Sequence, residues 1–180
     1  MKISLVIPHF PSIATDIVLH NSLESFKGHY DELIIISNEG MGYGPAVNMG
    51  LKYTTGDYII VSNNDIELKS GSFKTLPWDK GFSVPTIEPE PRDYLPRSIF
   101  CMPRWVYDLI MNCDGFFYDP IFECGFWEDD DLHKRTTNIP IIREGSITVN
   151  HLNGGGMTMK QMGEQRWMDI NRKVFLKKWG

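Results

Sequence analysis

The sequence predicts an α/β fold built around a mostly parallel sheet. Three apolar runs rich in β-branched residues, at residues 3–7, 33–36 and 58–61, are typical of strands buried on both faces. Helical patterns at residues 16–26 and 45–53 separate these runs. The order strand, helix, strand, helix, strand predicts right-handed crossovers between parallel neighbours.

The second half of the chain predicts a less regular arrangement. A segment rich in proline and charge at residues 86–96 is interpreted as a loop or lid, and the aromatic segment 116–127 as irregular. The remaining patterns predict a strand at 99–102, a helix at 103–111, strands at 139–142 and 146–149, and a final helix at 158–178. The apolar face of that final helix consists of Trp167, Ile170, Val174 and Phe175.

Length and composition restrict the class of protein. The 180 residues predict one domain with its own core, and a hydrophobic content of 42% excludes disordered, collagen-like and coiled-coil chains. The net charge of −5 argues against a compact basic domain that binds nucleic acid through phosphate charge alone. Residues 160–180 nevertheless carry six Lys or Arg and two acidic residues, a local charge of +4 against about −9 elsewhere.

Cysteine use and hydropathy predict a cytoplasmic protein. Cys101, Cys113 and Cys124 lack CxxC spacing and are expected to be reduced, mostly buried thiols. No apolar run is long enough to span a membrane. Pro8 and His9 interrupt the apolar amino-terminal run too early for a signal peptide.

A polar cluster of Asn63, Asn64 and Asp65 directly follows the third apolar run. Ligands of open α/β sheets bind outside the carboxyl ends of the strands, where a carboxylate can hold a hard divalent cation against a phosphate. Asn and Asp also favour turns, so a simple connecting turn is the alternative interpretation.

Four consecutive carboxylates occupy residues 128–131, close to the aromatic side chains of Phe122, Phe126 and Trp127. A carboxylate that is partly removed from water binds a proton more readily, which suits a general base. Acidic residues also favour the first turn of a helix, so a solvated helix start is the alternative.

His151 follows the last predicted strand and precedes a run of glycines at residues 154–156. A neutral imidazole can ligate a metal, and glycines let the backbone approach a ligand closely, although a structural histidine is the alternative. The earlier glycines at residues 40–44 have G-x-G-x-G spacing after the second strand, which does not fit a dinucleotide-binding fingerprint.

Five motifs, taken in order, resemble the inverting GT-A glycosyltransferases of family 2, especially their rhamnosyltransferase-like branch. They are ISLVIP at residues 3–8, GYGPAVNMG at 42–50, TGDYIIVSNND at 55–65, FFYD at 116–119 with WEDDDL at 127–132, and NHLNG at 150–154. The resemblance covers residues 1–157.

The resemblance implies a GT-A-like, three-layer α/β/α fold and transfer of a sugar from a nucleotide-diphosphate sugar to an acceptor hydroxyl, with inversion. It implies that Asp65 holds Mn²⁺ or Mg²⁺ and that His151 is a further ligand of the metal or a phosphate contact. It also implies that Asp129 is the general base and that Glu128 orients the acceptor hydroxyl. The residues implied to line the nucleotide-sugar pocket are Pro8, Asn38, Glu39, Asn48, Asn63 and Asn64.

The sequence departs from the family pattern after the second strand, where relatives carry an Asp for the nucleoside and Glu39 is the candidate substitute. The chain is also shorter than most relatives. We expect a catalytic domain at residues 1–157 and a basic amphipathic helix at 158–180 packed on the same domain. That helix either docks with solvated lysines or contacts an anionic acceptor or a membrane surface. The implied acceptors are a glycan, a lipid-linked saccharide or a hydroxymethylated DNA base.

The sequence leaves two other functions as alternatives. A sugar-nucleotide nucleotidyltransferase would need a basic, glycine-rich loop after the first strand, and residues 9–12 (HFPS) do not supply one. A non-catalytic nucleotide- or sugar-binding module would not need an ionised Asp129 beside Asp65.

Overall fold

Strands and helices alternate along the chain in a computed structural model that describes residues 1–76, 78–88, 98–152 and 164–180. The strands are β1 (Ile3–His9), β2 (Glu32–Ser37), β3 (Tyr58–Ser62), β4 (Ile66–Ser70), β5 (Phe82–Glu88), β6 (Ile99–Pro103) and β7 (Ile141–His151). The helices are α1 (Ile13–Ser25), α2 (Tyr43–Lys52), α3 (Arg104–Asp114), α4 (Glu128–Arg135) and α5 (Glu164–Trp179).

The strands form one sheet in the order β2-β1-β3-β6-β5-β7-β4. β1 lies parallel between β2 and β3, so that Leu5 is opposite both Leu33 and Ile60. β6 is antiparallel to β3 and β5, and β4 is antiparallel to β7, so five of the seven described strands point the same way. The predicted α/β fold with a mostly parallel sheet is therefore confirmed.

Helices cover both faces of this sheet. On one face Val47 and Leu51 of α2, Ile110 of α3 and Leu132 of α4 share a buried cluster with strand residues such as Val61. On the other face Phe26, which follows α1, is buried among side chains of β1 and β3. The predicted three-layer arrangement is confirmed, and the alternation of faces follows from side chains of successive strand residues pointing in opposite directions.

The prediction that residues 33–36 are buried on both faces is wrong, because β2 is an edge strand covered on one face only. Helix α1 lies toward β4 instead, where the Ser22 hydroxyl donates to Ile66 O (2.6 Å) and Leu68 N donates to Ser25 Oγ (3.0 Å). Leu33 and Ile35 are consequently 37% and 40% exposed.

Helix α1 begins three residues before its predicted start, since Ser12 caps it by accepting a hydrogen bond from Thr15 N. Ile17, expected on its apolar face, is 59% exposed.

Helix α2 lies so close to the sheet that a Cβ at Gly50 would come within 2.5 Å of Val6 Cγ1, which explains a glycine inside this helix.

Several elements of the second half differ from the predictions. β4 and β5 were not predicted, and the residues 86–88 assigned to a loop belong to β5. The two predicted late strands form the single strand β7, whose pairing with β5 shifts register between Pro85 and Thr86. The rest of the predicted loop (residues 89–96) and the segment at 153–163, with the glycines and the start of the final helix, lie outside the described residues.

The inner face of α5 also differs from the prediction. Its one fully buried residue within the described part is Asn171, while Ile170 is 36% exposed and Trp167, Val174 and Phe175 are half-buried. No described helix is both long enough and apolar enough to cross a membrane. The three cysteines are free, but only Cys101 is buried, so the expectation of mostly buried thiols is wrong for the other two.

A polar network joins the amino ends of β1, β2 and the loop before β3. Glu32 accepts hydrogen bonds from the Ser4 hydroxyl, Thr55 N (2.8 Å) and the Thr55 hydroxyl (2.9 Å), and Lys2 Nζ lies 3.5 Å away. Burial opposes ionisation of Glu32, but these hydrogen bonds and the lysine outweigh it and lower its pKa to about 2.

We expect this network to make stability depend on pH. The unfolded carboxyl has a pKa near 4.5, so the stabilisation is complete above that value and is lost as pH falls toward about 2. Glu32→Gln should lower the free energy of unfolding at pH 7 and flatten its dependence between pH 5 and 2, measured by urea denaturation. Glu24→Gln, which removes an exposed ion pair with Lys27, should change neither the free energy of unfolding at pH 7 nor its pH dependence. An unchanged pH profile in Glu32→Gln would contradict the prediction.

Candidate functional site

Asp65 and His151 meet beside the turn between β3 and β4. The pairing of Ile66 with His151 in β4 and β7, and a hydrogen bond from Leu152 N to Asp65 O (2.9 Å), set their relative position. Asp65 Oδ1 lies 3.2 Å from His151 Nε2. The two residues predicted as metal ligands from distant parts of the sequence are therefore neighbours in the fold.

The chemistry of this pair fits a divalent cation. Asp65 Oδ1 and His151 Nε2 are buried and, apart from their 3.2 Å contact with each other, make no hydrogen bond with the described residues. Buried polar atoms are almost always satisfied, so a facing oxygen and nitrogen left without other hydrogen bonds suit a ligand that is not protein. No group of three or more His, Cys, Asp or Glu among the described residues is arranged so that it could hold a metal ion. Further ligands would therefore come from water and phosphate, as is usual for Mg²⁺.

Asn64 contacts another side chain of the protein. Its Nδ2 lies 3.0 Å from His9 Nδ1, and His9 Nε2 lies 2.7 Å from Asp16 Oδ1. A neutral His9 protonated on Nε2 satisfies both contacts, since it donates to the carboxylate and accepts from the amide. Asn64 thus anchors the turn that carries Asp65, and Pro8 is buried within β1 just before this histidine.

Asn38 and Asn63 offer acceptor atoms at the carboxyl edge of the sheet. Asn38 N donates to His9 O (3.0 Å), and its backbone carbonyl accepts from Met41 N and Gly42 N in the turn after β2. The side-chain Oδ1 atoms of Asn38 and Asn63 are buried and make no hydrogen bond with described residues. Glu39, the predicted substitute for the nucleoside Asp, is exposed beside them.

The glycines before α2 allow this helix to meet the turn before α4. Gly42 has φ 83°, and a Cβ there would lie 2.7 Å from Cys124 Cα, so only glycine fits. A Cβ at Gly44 would make ordinary contacts with Tyr118 and Glu128. Gly42 therefore has a packing role, consistent with the rejection of a dinucleotide fingerprint.

The four consecutive carboxylates separate into two environments. Glu128 and Asp129 begin α4 and are only 3% and 5% exposed. Asp129 Oδ1 accepts a hydrogen bond from the Tyr118 hydroxyl (2.8 Å). Asp131 is fully buried and accepts from Arg135 Nε (2.8 Å), which makes it a structural group rather than a candidate base.

Tyr43 connects the two parts of the candidate site. Burial raises the pKa of the Tyr43 phenol well above its usual range, and the charges of Asp129, Glu128 and Asp65 raise it further, in that order. One hydroxyl is thus within electrostatic reach of the predicted general base, its neighbour and the predicted metal ligand. The Tyr43 ring also lies 6.0 Å from that of Tyr118, whose hydroxyl bonds to Asp129, so Tyr43 is near the start of α4.

Asn48 is bonded to the backbone of Tyr118. Its Nδ2 donates to Tyr118 O (2.7 Å) and its Oδ1 accepts from Tyr118 N (2.8 Å), so both ends of the amide are used. Burial and the charge of Asp129 keep the pKa of the Tyr118 phenol well above its usual range, so the phenol stays protonated and donates to Asp129. Asn48 therefore positions the segment that carries Tyr118.

The sequence did not single out Tyr43, Tyr118 or Asn171 as site residues. Tyrosines in aromatic segments look like core residues, and a lone Asn in a basic helix looks solvated, so neither gave a usable signal. Lys178, expected to be solvated or to contact an acceptor, instead lies 2.7 Å from Asp119 Oδ2 and 2.6 Å from Asp131 Oδ1.

Comparison with solved structures identifies the class of fold. GalNAc-T7 with UDP, GalNAc and Mn²⁺ gives a TM-score of 0.61 at 12% identity, covering 84% of this chain and 44% of that one. S. aureus TarS 1–349 with UDP-GlcNAc gives 0.59 at 13% identity over 88% and 61% of the two chains. A glycosyltransferase involved in glycosylation of the major capsid of PBCV-1 gives 0.58 at 9% identity over 92% and 100%. The chain therefore has the GT-A fold.

The family Glycosyl transferase family 2 matches residues 19–76, which confirms the resemblance found in the motifs. The rhamnosyltransferase-like branch within it stays a prediction. No characterised protein matches by sequence alone. The chain spans 36% of the full TarS chain, and thus less than two thirds of that relative.

We expect the Tyr118 hydroxyl to stabilise the fold through Asp129. Tyr118→Phe removes a hydrogen bond to a buried carboxylate while keeping the ring, and should lower the free energy of unfolding by about 1.5–3 kcal/mol in urea denaturation. Tyr53→Phe, at a residue that is 64% exposed, is the control and should leave it unchanged. A loss below about 0.5 kcal/mol in Tyr118→Phe would contradict the assigned contact.

Proposed function

We propose that this chain is a metal-dependent glycosyltransferase that moves a sugar from a nucleotide-diphosphate sugar to an acceptor hydroxyl with inversion. The observation that carries this proposal is the grouping of charged side chains near Tyr43. It combines the Asp65–His151 pair with the buried carboxylates Glu128 and Asp129 in a GT-A fold. The Asp65–His151 pair suits a metal-bound diphosphate, and the carboxylates of Glu128 and Asp129 suit an attacking hydroxyl.

The donor half of the proposal involves the carboxyl edge of the sheet. Asp65 and His151 would hold Mn²⁺ or Mg²⁺, which when bound neutralises charge on a diphosphate leaving group. The buried Oδ1 atoms of Asn38 and Asn63 would accept hydrogen bonds from hydroxyl or N–H groups of a nucleoside. The presence of UDP and Mn²⁺ in the GalNAc-T7 structure supports this proposal.

The acceptor half involves the start of α4. The acceptor oxygen would attack the anomeric carbon as the bond from that carbon to the diphosphate oxygen breaks, and the hydroxyl proton would pass to Asp129. Glu128 would orient the hydroxyl. Support comes from the burial of both carboxylates and from the hydrogen bond of Tyr118 to Asp129 Oδ1, which holds that carboxylate in place. A single displacement from one side inverts the anomeric centre.

The identity of the acceptor follows less directly from the chain. Lys173 and Lys177 are exposed on the outer side of α5 and suit an anionic acceptor, such as a lipid-linked saccharide, a charged glycan or a hydroxymethylated DNA base. Lys178 is excluded from that role because it is occupied by two carboxylates. The same two exposed lysines would serve a peripheral contact with an anionic membrane surface.

The alternative functions fit these contacts less well. A nucleotidyltransferase needs a phosphate-binding loop after the first strand, whereas here Ser12 caps α1 and His9 bonds to Asp16. A non-catalytic binding module gains nothing from burying the carboxylates of Glu128 and Asp129 away from water, which is costly without a chemical role.

Donor binding tests the metal site. A thermal-shift screen of UDP-glucose, UDP-N-acetylglucosamine, GDP-mannose and dTDP-rhamnose with Mn²⁺ should identify a stabilising nucleotide sugar, because a ligand of the native state raises apparent stability. Asp65→Ala should then weaken its Mn²⁺-dependent binding at least tenfold in calorimetry. Glu67→Ala, two residues away and paired with Lys69, is the control. Equal affinities of wild type and Asp65→Ala would remove Asp65 from the metal site.

Turnover tests the general base. Asp129→Asn keeps the shape of the side chain but cannot take up the proton, so we expect transfer or donor hydrolysis to fall at least ~100-fold. The affinity for the nucleotide sugar should stay within about twofold of wild type, since its contacts lie at the sheet edge. Asp108→Asn, at an exposed site on α3, is the matched control. Wild-type turnover in Asp129→Asn would show that another group is the base.

A further inference from the structure

The segment that presents Glu128 and Asp129 has an unusual backbone. Cys124, Phe126 and Trp127 have φ of 60°, 70° and 71°, and Gly125 between them has 124°. Left-handed conformations are unfavourable for non-glycine residues, and persist only where the surroundings impose them. We call residues 124–127 the strained turn. Its last residue, Trp127, is the cap from which α4 begins, so the conformation of the turn sets the direction of α4.

Asn171 of α5 binds the carbonyl groups of this segment. Its Nδ2 donates to Glu123 O (2.7 Å), Gly125 O (2.7 Å) and Phe126 O (3.2 Å). Three acceptors around one amide nitrogen fix the orientation of the side chain, because its oxygen would be repelled there. Asn171 is fully buried, so water cannot replace these hydrogen bonds without a rearrangement.

The same face of α5 makes further contacts with the strained turn and α4. The ring of Phe175 packs on that of Trp127, with centroids 5.1 Å apart. Trp179 Nε1 donates to Asp131 Oδ1 (2.8 Å). Asn171, Phe175 and Trp179 follow one another at intervals of four, the spacing of one helix face. That face therefore contacts the strained turn and the inner side of α4 together.

The Asp65–His151 pair is held by other means. Asp65 is fixed by the hydrogen bond from Leu152 N and by the pairing of β4 with β7. A disturbance of α5 is therefore expected to move Glu128 and Asp129 while leaving Asp65 and His151 in place.

We propose that α5 is a positioning element of the catalytic centre, and that Asn171 is the residue that imposes the strained turn and so places Glu128 and Asp129. This inference rests on the proposed function for the roles of those two carboxylates. The inner face of the carboxyl-terminal helix then has a positioning role and is not an acceptor site.

The test uses Asn171→Asp in the full chain. The substitution keeps the size of the side chain and replaces the donor with an acceptor that faces three carbonyls. Gln165→Glu adds the same charge on an exposed position of α5 and is the control. Asn171→Ser keeps one hydroxyl donor, so its exchange rates and its kcat should lie between those of wild type and Asn171→Asp. If Asn171→Asp does not fold, Asn171→Ser is measured in its place.

Hydrogen exchange gives a readout that does not depend on activity. Gly125 N donates to Glu123 O and Asp131 N donates to Trp127 O, so both amides are protected in the native chain. Asn171→Asp should speed their exchange at least tenfold while amides of β1 and β3 keep their rates. Wild-type exchange at Gly125 and Asp131, or equal acceleration throughout the chain, would overturn the proposal.

Kinetics separates positioning from general destabilisation. With the nucleotide sugar of largest thermal shift, Asn171→Asp should lower kcat for hydrolysis at least tenfold and leave KM within about twofold. An unchanged kcat, or a KM that rises as much as kcat falls, would overturn the proposal. If the wild-type chain hydrolyses none of the four sugars, the proposed function fails, whereas the exchange measurement still decides whether Asn171 holds the strained turn.

Discussion

The carboxyl-terminal half of the molecule depends on the pairing of one buried carboxylate. Asp131 has no access to water, so it must find partners within the protein, and it does so in Arg135, Lys178 and Trp179. Arg135 in turn donates to Phe117 O (2.6 Å) and pairs with an acidic residue at the end of α3. This one group therefore fixes α3, α4, α5 and the aromatic segment against one another.

The two parts of the candidate site are built by different kinds of interaction. Backbone pairing between β4 and β7 brings Asp65 to His151, so the position of this pair is fixed by the register of the sheet. Side-chain hydrogen bonds from Asn48, Tyr118 and Asn171 position the segments around Glu128 and Asp129. Registers tolerate many substitutions because the backbone makes the bonds, whereas a side-chain contact is lost with a single residue. The part of the site around Glu128 and Asp129 is therefore expected to be more sensitive to substitution than the part around Asp65 and His151.

Sequence patterns were sufficient for the part of the fold where local signals and packing agree. The alternation of apolar runs and helical patterns predicted β1 to β3 with α1 and α2, and the family motifs predicted that Asp65 and His151 act together. The exposure of Leu33 could not be predicted, because it depends on where α1 packs. The different environments of Asp129 and Asp131 could not be predicted either. They depend on helix geometry and on partners that are distant in the sequence, which composition does not indicate.

The long separation between Asn171 and the turn that it holds has a consequence for folding. The hydrogen bond from Asn171 to Gly125 O closes a loop of 46 residues. Closing such a loop costs chain entropy before any contact repays it, and non-local contacts tend to form late. The backbone of residues 124–127 is therefore expected to reach its final conformation only after α5 has docked.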